Sequence, residues 1–245
     1  MVSKQKAISE IDVHRPYTLA HRLFQPILAF VLKAFFRLYN HWQVIGRENI
    51  PRTGGVLIAA NHSSYIDPPL GWSAIYGTRR MWGVARADLW KGGFMTFLMD
   101  SFDSIPVRRG TADRAMLRRV LELLTDEKVV GIFPEGTRTY DGKLNLAQPG
   151  IALMIQKTGV PVVPAAFMGA YEMLPRGAKK LRRASIKVIF GEPLHFDKSA
   201  SREEIAAKIM EAIAALMTAH GVPMEAPAPE RAELLKQNEG LGIRD

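Results

Sequence analysis

The sequence predicts an α/β fold, with a mixed, partly parallel sheet flanked by helices and an N-terminal amphipathic helical pair. From residue 42 onward, short apolar runs rich in β-branched residues alternate with segments of helical periodicity. A proline-interrupted stretch of apolar residues lies before them. The length of 245 residues suits one sizeable core with an appendage.

The segment 19–38 predicts an amphipathic helix, because its apolar residues recur at spacings of three and four. Arg22, Lys33 and Arg37 follow the opposite stripe. Pro26 lacks an amide hydrogen, so we expect a kink or restart that gives two shorter helices. Packing on the chain's own domain explains the periodicity equally well, but large apolar side chains opposite basic ones favour a membrane interface. Only ten uncharged residues separate Arg22 from Lys33, whereas a spanning helix needs about 20, so we predict no transmembrane helix.

Six short apolar runs predict the strands of the sheet. They are GGVLIAA (54–60), RMWGVA (80–85), SIPV (104–107), KVVGIF (128–133), VPVVPAAF (160–167) and SIKVIFG (185–191). Segments 111–128 and 151–159 have helical spacing, which places helices on the faces of a largely parallel sheet. Near the C-terminus, Ser201 and Glu204 form a capping box that predicts the start of another helix.

We divide the chain into three parts. Residues 1–41 form amphipathic membrane-interface helices, residues 42–221 form the α/β domain, and the Pro- and charge-rich residues 222–245 form a loosely held tail. Lys and Arg outnumber Asp and Glu by 33 to 24, so the chain should be drawn to polyanions such as nucleic acid or an anionic membrane. The absence of cysteine excludes disulfides and thiolate zinc ligands. Six histidines with no pair at ligand spacing predict no metal site.

The stretch AANHSSYIDPPLG (59–71) carries the first pair of candidate catalytic residues, His62 and Asp67. Ligands of α/β sheets bind where strands end, and this strand ends beside His62. Asp67 precedes Pro68 and is placed to cap a helix. Side chains five residues apart on a helix point roughly 140° apart, so the pair meets only if SSYI forms a tight turn. The Asp67 carboxylate would then accept a hydrogen bond from one ring nitrogen and leave the other basic.

A second strand runs into PEGTRT, where the chain presents Glu135, Gly136, Thr137 and Arg138 in succession. The backbone, one hydroxyl and one guanidinium of this loop suit an anion. An isolated His and Asp are more often a hydrogen-bonded loop histidine and a capping aspartate than a catalytic pair. The presence of this second loop is the observation that favours a catalytic pair.

A third strand edge, SIPVRRG, presents Arg108 and Arg109, of which strand alternation turns only one toward the site. Arginines from two separate strand ends would suit a phosphate monoester. A solvated surface charge is the usual state of an arginine, and we expect it of Arg108.

The segments NHSSYID, SIPVRRG, FPEGTRT and VPVVPAAF occur in this order, and residues 46–193 resemble the glycerolipid acyltransferase family, specifically the bacterial 1-acylglycerol-3-phosphate acyltransferases. The resemblance implies an α/β domain, in some members with a helical pair on the membrane. It implies that His62 is the general base for the hydroxyl of a lysophospholipid and that Asp67 holds the imidazole ring. The positions that match the family's acceptor-binding residues are Arg109, Glu135, Gly136 and Arg138.

The implied reaction moves an acyl group from acyl carrier protein or coenzyme A to the sn-2 hydroxyl of 1-acylglycerol 3-phosphate, giving phosphatidic acid. No cofactor is implied beyond this thioester co-substrate. The expected partners are a lysophospholipid, the thioester carrier and an anionic membrane surface, and the expected location is the cytoplasmic face of the membrane, as a peripheral or monotopic protein. The chain departs from many relatives at Arg108, where they carry an acidic residue, and at LAQPG (146–150), where they carry a lysine before the glycine.

Other functions remain open at this point. The acceptor could be a different lysophospholipid or an ornithine lipid precursor. A serine hydrolase would use Ser63 or Ser64, but the chain has no G-x-S-x-G elbow. A non-catalytic membrane-binding module would use the positive charge alone. The basic cluster RGAKKLRR (176–183) has no interleaved aromatic residues, so we predict no nucleic-acid binding; it would suit acidic head groups, an acidic carrier protein or a solvated loop.

Overall fold

The computed structural model describes residues 18–108, 113–197, 199–228, 230, 231 and 233. Three parts of the sequence predictions lie outside these residues: the first 17 residues, Arg109 and the end of the C-terminal tail. The described chain contains seven strands and seven α-helices. The strands are β1 (Gln43–Ile45), β2 (Val56–Ala60), β3 (Met81–Arg86), β4 (Ser104–Val107), β5 (Val129–Ile132), β6 (Val162–Met168) and β7 (Lys187–Phe190). The helices are α1 (Leu19–Asn40), α2 (Asp67–Ile75), α3 (Gly93–Ser101), α4 (Arg114–Thr125), α5 (Pro149–Thr158), α6 (Ala170–Met173) and α7 (Arg202–Ala219).

The strands form one sheet in the order β1-β7-β6-β2-β5-β3-β4. Neighbouring strands are parallel except β6 and β7, which are antiparallel. This confirms the predicted mixed, partly parallel sheet, and all six predicted strands are present. The sequence prediction omitted β1, whose three residues are too few to show a period.

The central strand β2 is buried along its whole length, with helices on both faces of the sheet. Leu57 and Ala59 join a core with the apolar sides of α4, α5 and α7. Val56, Ile58 and Ala60 join a second core with α1 and α2. Burial on both faces explains why this strand reads as a continuous apolar run.

The described residues 19–40 form one continuous helix, α1, so the prediction that Pro26 divides the segment 19–38 into two shorter helices is wrong. Pro26 has no amide hydrogen to donate to the Arg22 carbonyl, so this one hydrogen bond within the helix is not made. Both residues are exposed, so water can hydrogen-bond to that carbonyl. Contacts on both sides of Pro26 keep the helix in place: His21 stacks on Phe97 at 4.7 Å, and Phe36 is buried in the core.

The apolar stripe of α1 faces outward, whereas several of its polar residues face the α/β domain. Gln25 donates to the Ser101 carbonyl at 2.8 Å and to Asp103 Oδ2 at 3.1 Å. Asn40 donates to the Ala184 carbonyl at 3.0 Å. The outward side chains, each between 54% and 78% exposed, are Leu19, Leu23, Ile27, Phe30, Val31 and Leu38. A helix of a water-soluble domain has the opposite arrangement, so this apolar face indicates a non-aqueous neighbour.

By length and composition, α1 is long and apolar enough to cross a membrane, although the spacing of its charges predicted no transmembrane helix. The prediction considered only the uncharged run between Arg22 and Lys33, whereas the helix continues beyond both ends of that run. The buried polar side chains of α1 pack on the α/β domain, so only one side of this helix is available to lipid.

Ser201 caps α7 as predicted, because its Oγ accepts from the Glu204 amide at 3.1 Å. The Glu204 carboxylate does not return to the cap; it pairs with Lys208 at 2.9 Å. In the predicted tail, Arg231 donates to the Leu144 carbonyl at 3.0 Å and to Asp141 Oδ2 at 2.9 Å.

Candidate active site

The predicted site residues that the structure describes lie at one edge of the sheet, where the parallel strands β2, β5, β3 and β4 end. His62 follows β2, the PEGTR segment follows β5, and Arg108 follows β4. Arg86 ends β3 between them and pairs with Asp88 at 2.6 Å. The predicted strand stopped at residue 85, so the sequence prediction missed Arg86. Ligands of α/β sheets bind where strands end, and this rule would have identified Arg86 had it been applied to β3 as to the other strands.

His62 and Asp67 are in contact, as the expected turn requires: His62 Nδ1 lies 2.9 Å from Asp67 Oδ2. The same carboxylate oxygen accepts from the amides of Ser63 at 2.6 Å and Ser64 at 2.7 Å. These three hydrogen bonds fold the loop back toward the start of α2. The prediction that Asp67 is the N-cap of this helix is wrong, because Ile66 holds the cap position and the carboxylate caps the preceding loop instead.

The His62 ring is held on a second side by an aromatic contact. It stacks on Phe133 with 4.0 Å between ring centroids and 12° between planes. The side chain is 13% exposed. Because a carboxylate at Nδ1 favours the tautomer that carries the proton there, Nε2 is the nitrogen left to accept a proton.

Glu135 fixes the backbone of His62. Its Oε1 accepts from the His62 amide at 2.7 Å, and its Oε2 accepts from the Asn145 amide at 2.9 Å. The Thr139 amide donates in turn to the His62 carbonyl at 2.9 Å. Glu135 is 2% exposed, so both oxygens are engaged with buried backbone. The sequence led us to expect a contact with the acceptor, whereas the contacts in the structure are those of a positioning residue.

Burial raises the pKa of Glu135 to about 8, against the opposing effect of its two backbone amide donors. The folded protein therefore keeps this proton more tightly than the unfolded chain does, and the resulting stability is fully present below pH 4.5 and lost as the pH rises through about 8. We expect the free energy of unfolding to fall over this interval. Denaturant unfolding at a series of pH values measures the fall, and the Glu135→Gln variant, which cannot titrate there, should show a smaller one. Equal pH slopes for the two proteins would contradict this assignment.

Gly136 and Arg138 shape the loop after β5. The Gly136 amide donates to the Phe133 carbonyl at 3.0 Å, and its φ of 69° is in the left-handed region that favours glycine. Arg138 is buried with its guanidinium 3.5 Å from the centroid of the Tyr65 ring. Thr137 lies between them and is partly exposed. Tyr65 was absent from the sequence prediction, and only its place between His62 and Asp67 could have indicated it.

Arg108 is 44% exposed, as expected of a surface arginine, and pairs with Asp113 at 3.4 Å. Asp113 also accepts from the Arg108 amide at 2.8 Å and caps α4. Arg109 lies outside the described residues, so its contact with the acceptor stays a prediction. Among the residues that the structure describes, no group of three or more His, Asp or Glu side chains could hold a metal ion.

Comparisons with known proteins confirm the predicted resemblance. The family model described as Acyltransferase matches residues 41–168. The chain is 30% identical to a 1-acyl-sn-glycerol-3-phosphate acyltransferase of Bacillus subtilis, over 73% of this chain and 88% of the relative. It is 26% identical to a lyso-ornithine lipid O-acyltransferase of Pseudomonas aeruginosa, over 64% of this chain and 66% of the relative.

A solved structure has the same fold. It is that of the 1-acyl-sn-glycerophosphate acyltransferase PlsC from Thermotoga maritima, with a TM-score of 0.68, 27% sequence identity and 82% of each chain covered. The chain therefore belongs to the acyltransferase family, among its PlsC-like members, and is an O-acyltransferase.

Proposed function

We propose that this chain transfers a fatty acyl group from an acyl thioester to the free sn-2 hydroxyl of 1-acylglycerol 3-phosphate, giving phosphatidic acid. The observation that carries the proposal is the contact between His62 and Asp67 at the edge of the sheet where the parallel strands end. The Bacillus and Thermotoga relatives are named as acyltransferases of 1-acylglycerol phosphate, which supports the same acceptor.

In the proposed reaction, His62 Nε2 takes the proton of the acceptor hydroxyl while the oxygen attacks the thioester carbonyl. The tetrahedral intermediate then breaks its carbon–sulfur bond, and the thiolate leaves with the proton from the imidazolium. A positioned general base of this kind contributes about 10²–10⁴-fold to the rate. Since the thioester is already activated, the reaction requires no cofactor beyond this co-substrate, carried by acyl carrier protein or coenzyme A.

We propose that the loop after β5 binds the acceptor phosphate. The exposed Gly136 backbone and the partly exposed Thr137 are open to solvent beside His62, and the Arg138 guanidinium lies behind Tyr65. Arg109, predicted from the third strand end, would supply a second guanidinium, and forked donors of this kind match phosphate oxygens. Glu135 acts through the backbone of His62 in this proposal.

The neighbouring serines have contacts that disfavour a serine hydrolase. Ser64 Oγ donates to the Leu174 carbonyl at 2.8 Å. Ser63 Oγ is buried and has no hydrogen-bond partner among the described residues. A serine nucleophile needs a hydrogen bond to its base, and neither hydroxyl makes one to His62.

We place the protein at the cytoplasmic face of the membrane as a peripheral or monotopic protein. The outward apolar face of α1 supports the attachment to a membrane. If four or five of its large side chains entered the acyl boundary at about 1 kcal/mol each, attachment would gain about 4–5 kcal/mol. Such attachment places the site beside the bilayer that contains the acceptor.

A second acceptor has support from the Pseudomonas relative, whose name describes acylation of a lyso-ornithine lipid. We therefore propose a comparison of acceptors with one donor. Purified protein, a labelled acyl thioester and lysophosphatidic acid should yield labelled phosphatidic acid, at least tenfold faster than product forms from lyso-ornithine lipid or lysophosphatidylethanolamine. Acyl-carrier-protein and coenzyme A thioesters in parallel identify the donor. A faster reaction with lyso-ornithine lipid would overturn the proposed acceptor and leave the acyl transfer intact.

A further inference from the structure

A basic loop, residues 174–183, forms the first part of the connection between α6 and β7. It contains five cationic residues and no acidic one. The Arg182 amide donates to the Met173 carbonyl at 2.8 Å and closes the base of the loop. The Ala178 amide donates to the Pro175 carbonyl at 3.0 Å and forms a turn inside it. The loop is thus an ordered feature whose charge has one sign.

One end of the basic loop is attached to the active site. Ser64 Oγ donates to the Leu174 carbonyl at 2.8 Å. The Arg176 guanidinium lies 3.8 Å from the centroid of the Tyr140 ring and donates to the Arg138 carbonyl at 3.4 Å. The loop therefore borders both the catalytic turn and the proposed phosphate-binding loop.

The other end of the basic loop is attached to the C-terminal end of α1. Arg183 Nε donates to the Tyr39 carbonyl at 3.2 Å, and its Nη2 lies 3.1 Å from His41 Nε2. The exposed apolar side chains Leu38 and Tyr39 lie at this end of the helix. The positive charge of the loop therefore adjoins the outward apolar face of α1.

The tip of the basic loop combines positive charge with one apolar side chain. Lys179, Lys180 and Arg182 are exposed, and none of the three side chains forms an ion pair or hydrogen bond with another described residue. Leu181, between Lys180 and Arg182, is 45% exposed. An apolar side chain flanked by cations suits the boundary between lipid head groups and acyl chains.

We propose that the basic loop is a second membrane contact, which binds anionic lipid head groups while α1 inserts its apolar face. It holds the mouth of the acceptor site against the bilayer and raises the local concentration of anionic lipid there. This inference rests on the proposed function, because the proposed acceptor is itself an anionic lipid. An acidic carrier protein would also match the charge, but exposed Leu181 and the adjoining apolar face of α1 favour lipid.

Vesicle binding by the full chain tests the proposal. The variant Lys179→Gln, Lys180→Gln, Arg182→Gln is compared with the wild type on vesicles of phosphatidylcholine alone and of phosphatidylcholine with an equal amount of phosphatidylglycerol. Since one cation near an anionic surface contributes roughly fivefold to binding, the triple variant should bind the anionic vesicles on the order of 10- to 100-fold more weakly. Binding to phosphatidylcholine alone should stay the same, and added salt should reduce the difference.

A matched control removes three exposed cations elsewhere: Arg52→Gln, Arg118→Gln, Lys128→Gln. Under the proposal this control keeps most of its binding to anionic vesicles, and the melting temperatures of all three proteins agree. Equal losses of binding to anionic vesicles in both triple variants, or no loss in the loop variant, would overturn the proposal. A loop variant that binds vesicles normally but has a raised KM for acyl carrier protein thioesters alone would overturn it in favour of a carrier-protein site. If the wild type acylates no lysophosphatidic acid, the proposed function fails, and the vesicle result still decides the binding surface.

Discussion

Replacing His62 with alanine is expected to lower kcat for acyl transfer by about 10²–10⁴-fold, because the variant lacks the base that takes the proton from the acceptor hydroxyl. The KM for each substrate should change much less, since no substrate contact is assigned to the ring in the ground state. Steady-state kinetics with a labelled thioester measure both quantities. A kcat within threefold of the wild type would remove His62 from the mechanism.

The Asp67→Asn variant is the informative companion to this experiment. Its amide keeps the size of the carboxylate and still offers one oxygen to the three donors, which all lie within 2.9 Å of Oδ2, but it lacks the charge that stabilises the imidazolium. We expect a lower kcat with a folded protein, and near-ultraviolet circular dichroism checks that the loop persists. Unchanged kinetics would assign the carboxylate to loop structure alone.

Replacing Glu135 with alanine is expected to destabilise the protein by about 2–5 kcal/mol, because it leaves the amides of His62 and Asn145 without their acceptors. The backbone of His62 should lose its fixed position at the same time, so kcat should also fall at temperatures where the variant is folded. Denaturant unfolding and single-turnover rates measure the two effects. Loss of acceptor binding with full stability would instead restore the role predicted from the sequence.

A matched control for this variant is Glu211→Ala, which removes an exposed glutamate of α7. Surface substitutions of this kind change stability by about 0.5 kcal/mol or less, so a large difference between the two variants reports the buried contacts of Glu135. If both variants lost similar stability, the hydrogen bonds of Glu135 to the amides of His62 and Asn145 would make no special contribution.

Several features of the fold were predictable because they follow from local patterns. The six longer strands have continuous or alternating apolar residues, and β2 is buried on both faces as such a run indicates. The contact between His62 and Asp67 follows from a simple constraint, since five residues on a helix would separate the two side chains. The four short segments carried the resemblance that the comparisons confirmed.

Other features depend on contacts between distant parts of the chain, which a single sequence does not show. The continuity of α1 across Pro26 relies on packing at both ends of the helix. The partners of Glu135 are backbone amides 73 and 10 residues away. Tyr65 lies against Arg138 only because the turn after β2 and the loop after β5 end at the same edge. From side-chain chemistry alone, Glu135 was therefore assigned to the substrate and Tyr65 was omitted.

The most direct measurement of the central claim follows the acyl group itself. The wild-type protein is incubated with a labelled acyl thioester, first alone and then with lysophosphatidic acid, and the label is followed in both the protein and the lipid. Direct transfer to an acceptor activated by His62 predicts unlabelled protein in both samples, labelled phosphatidic acid only in the second, and the same product from a Ser63→Ala, Ser64→Ala variant. Direct transfer would be contradicted if the label became covalently bound to the wild-type protein before the acceptor was added and did not bind to the Ser63→Ala, Ser64→Ala variant.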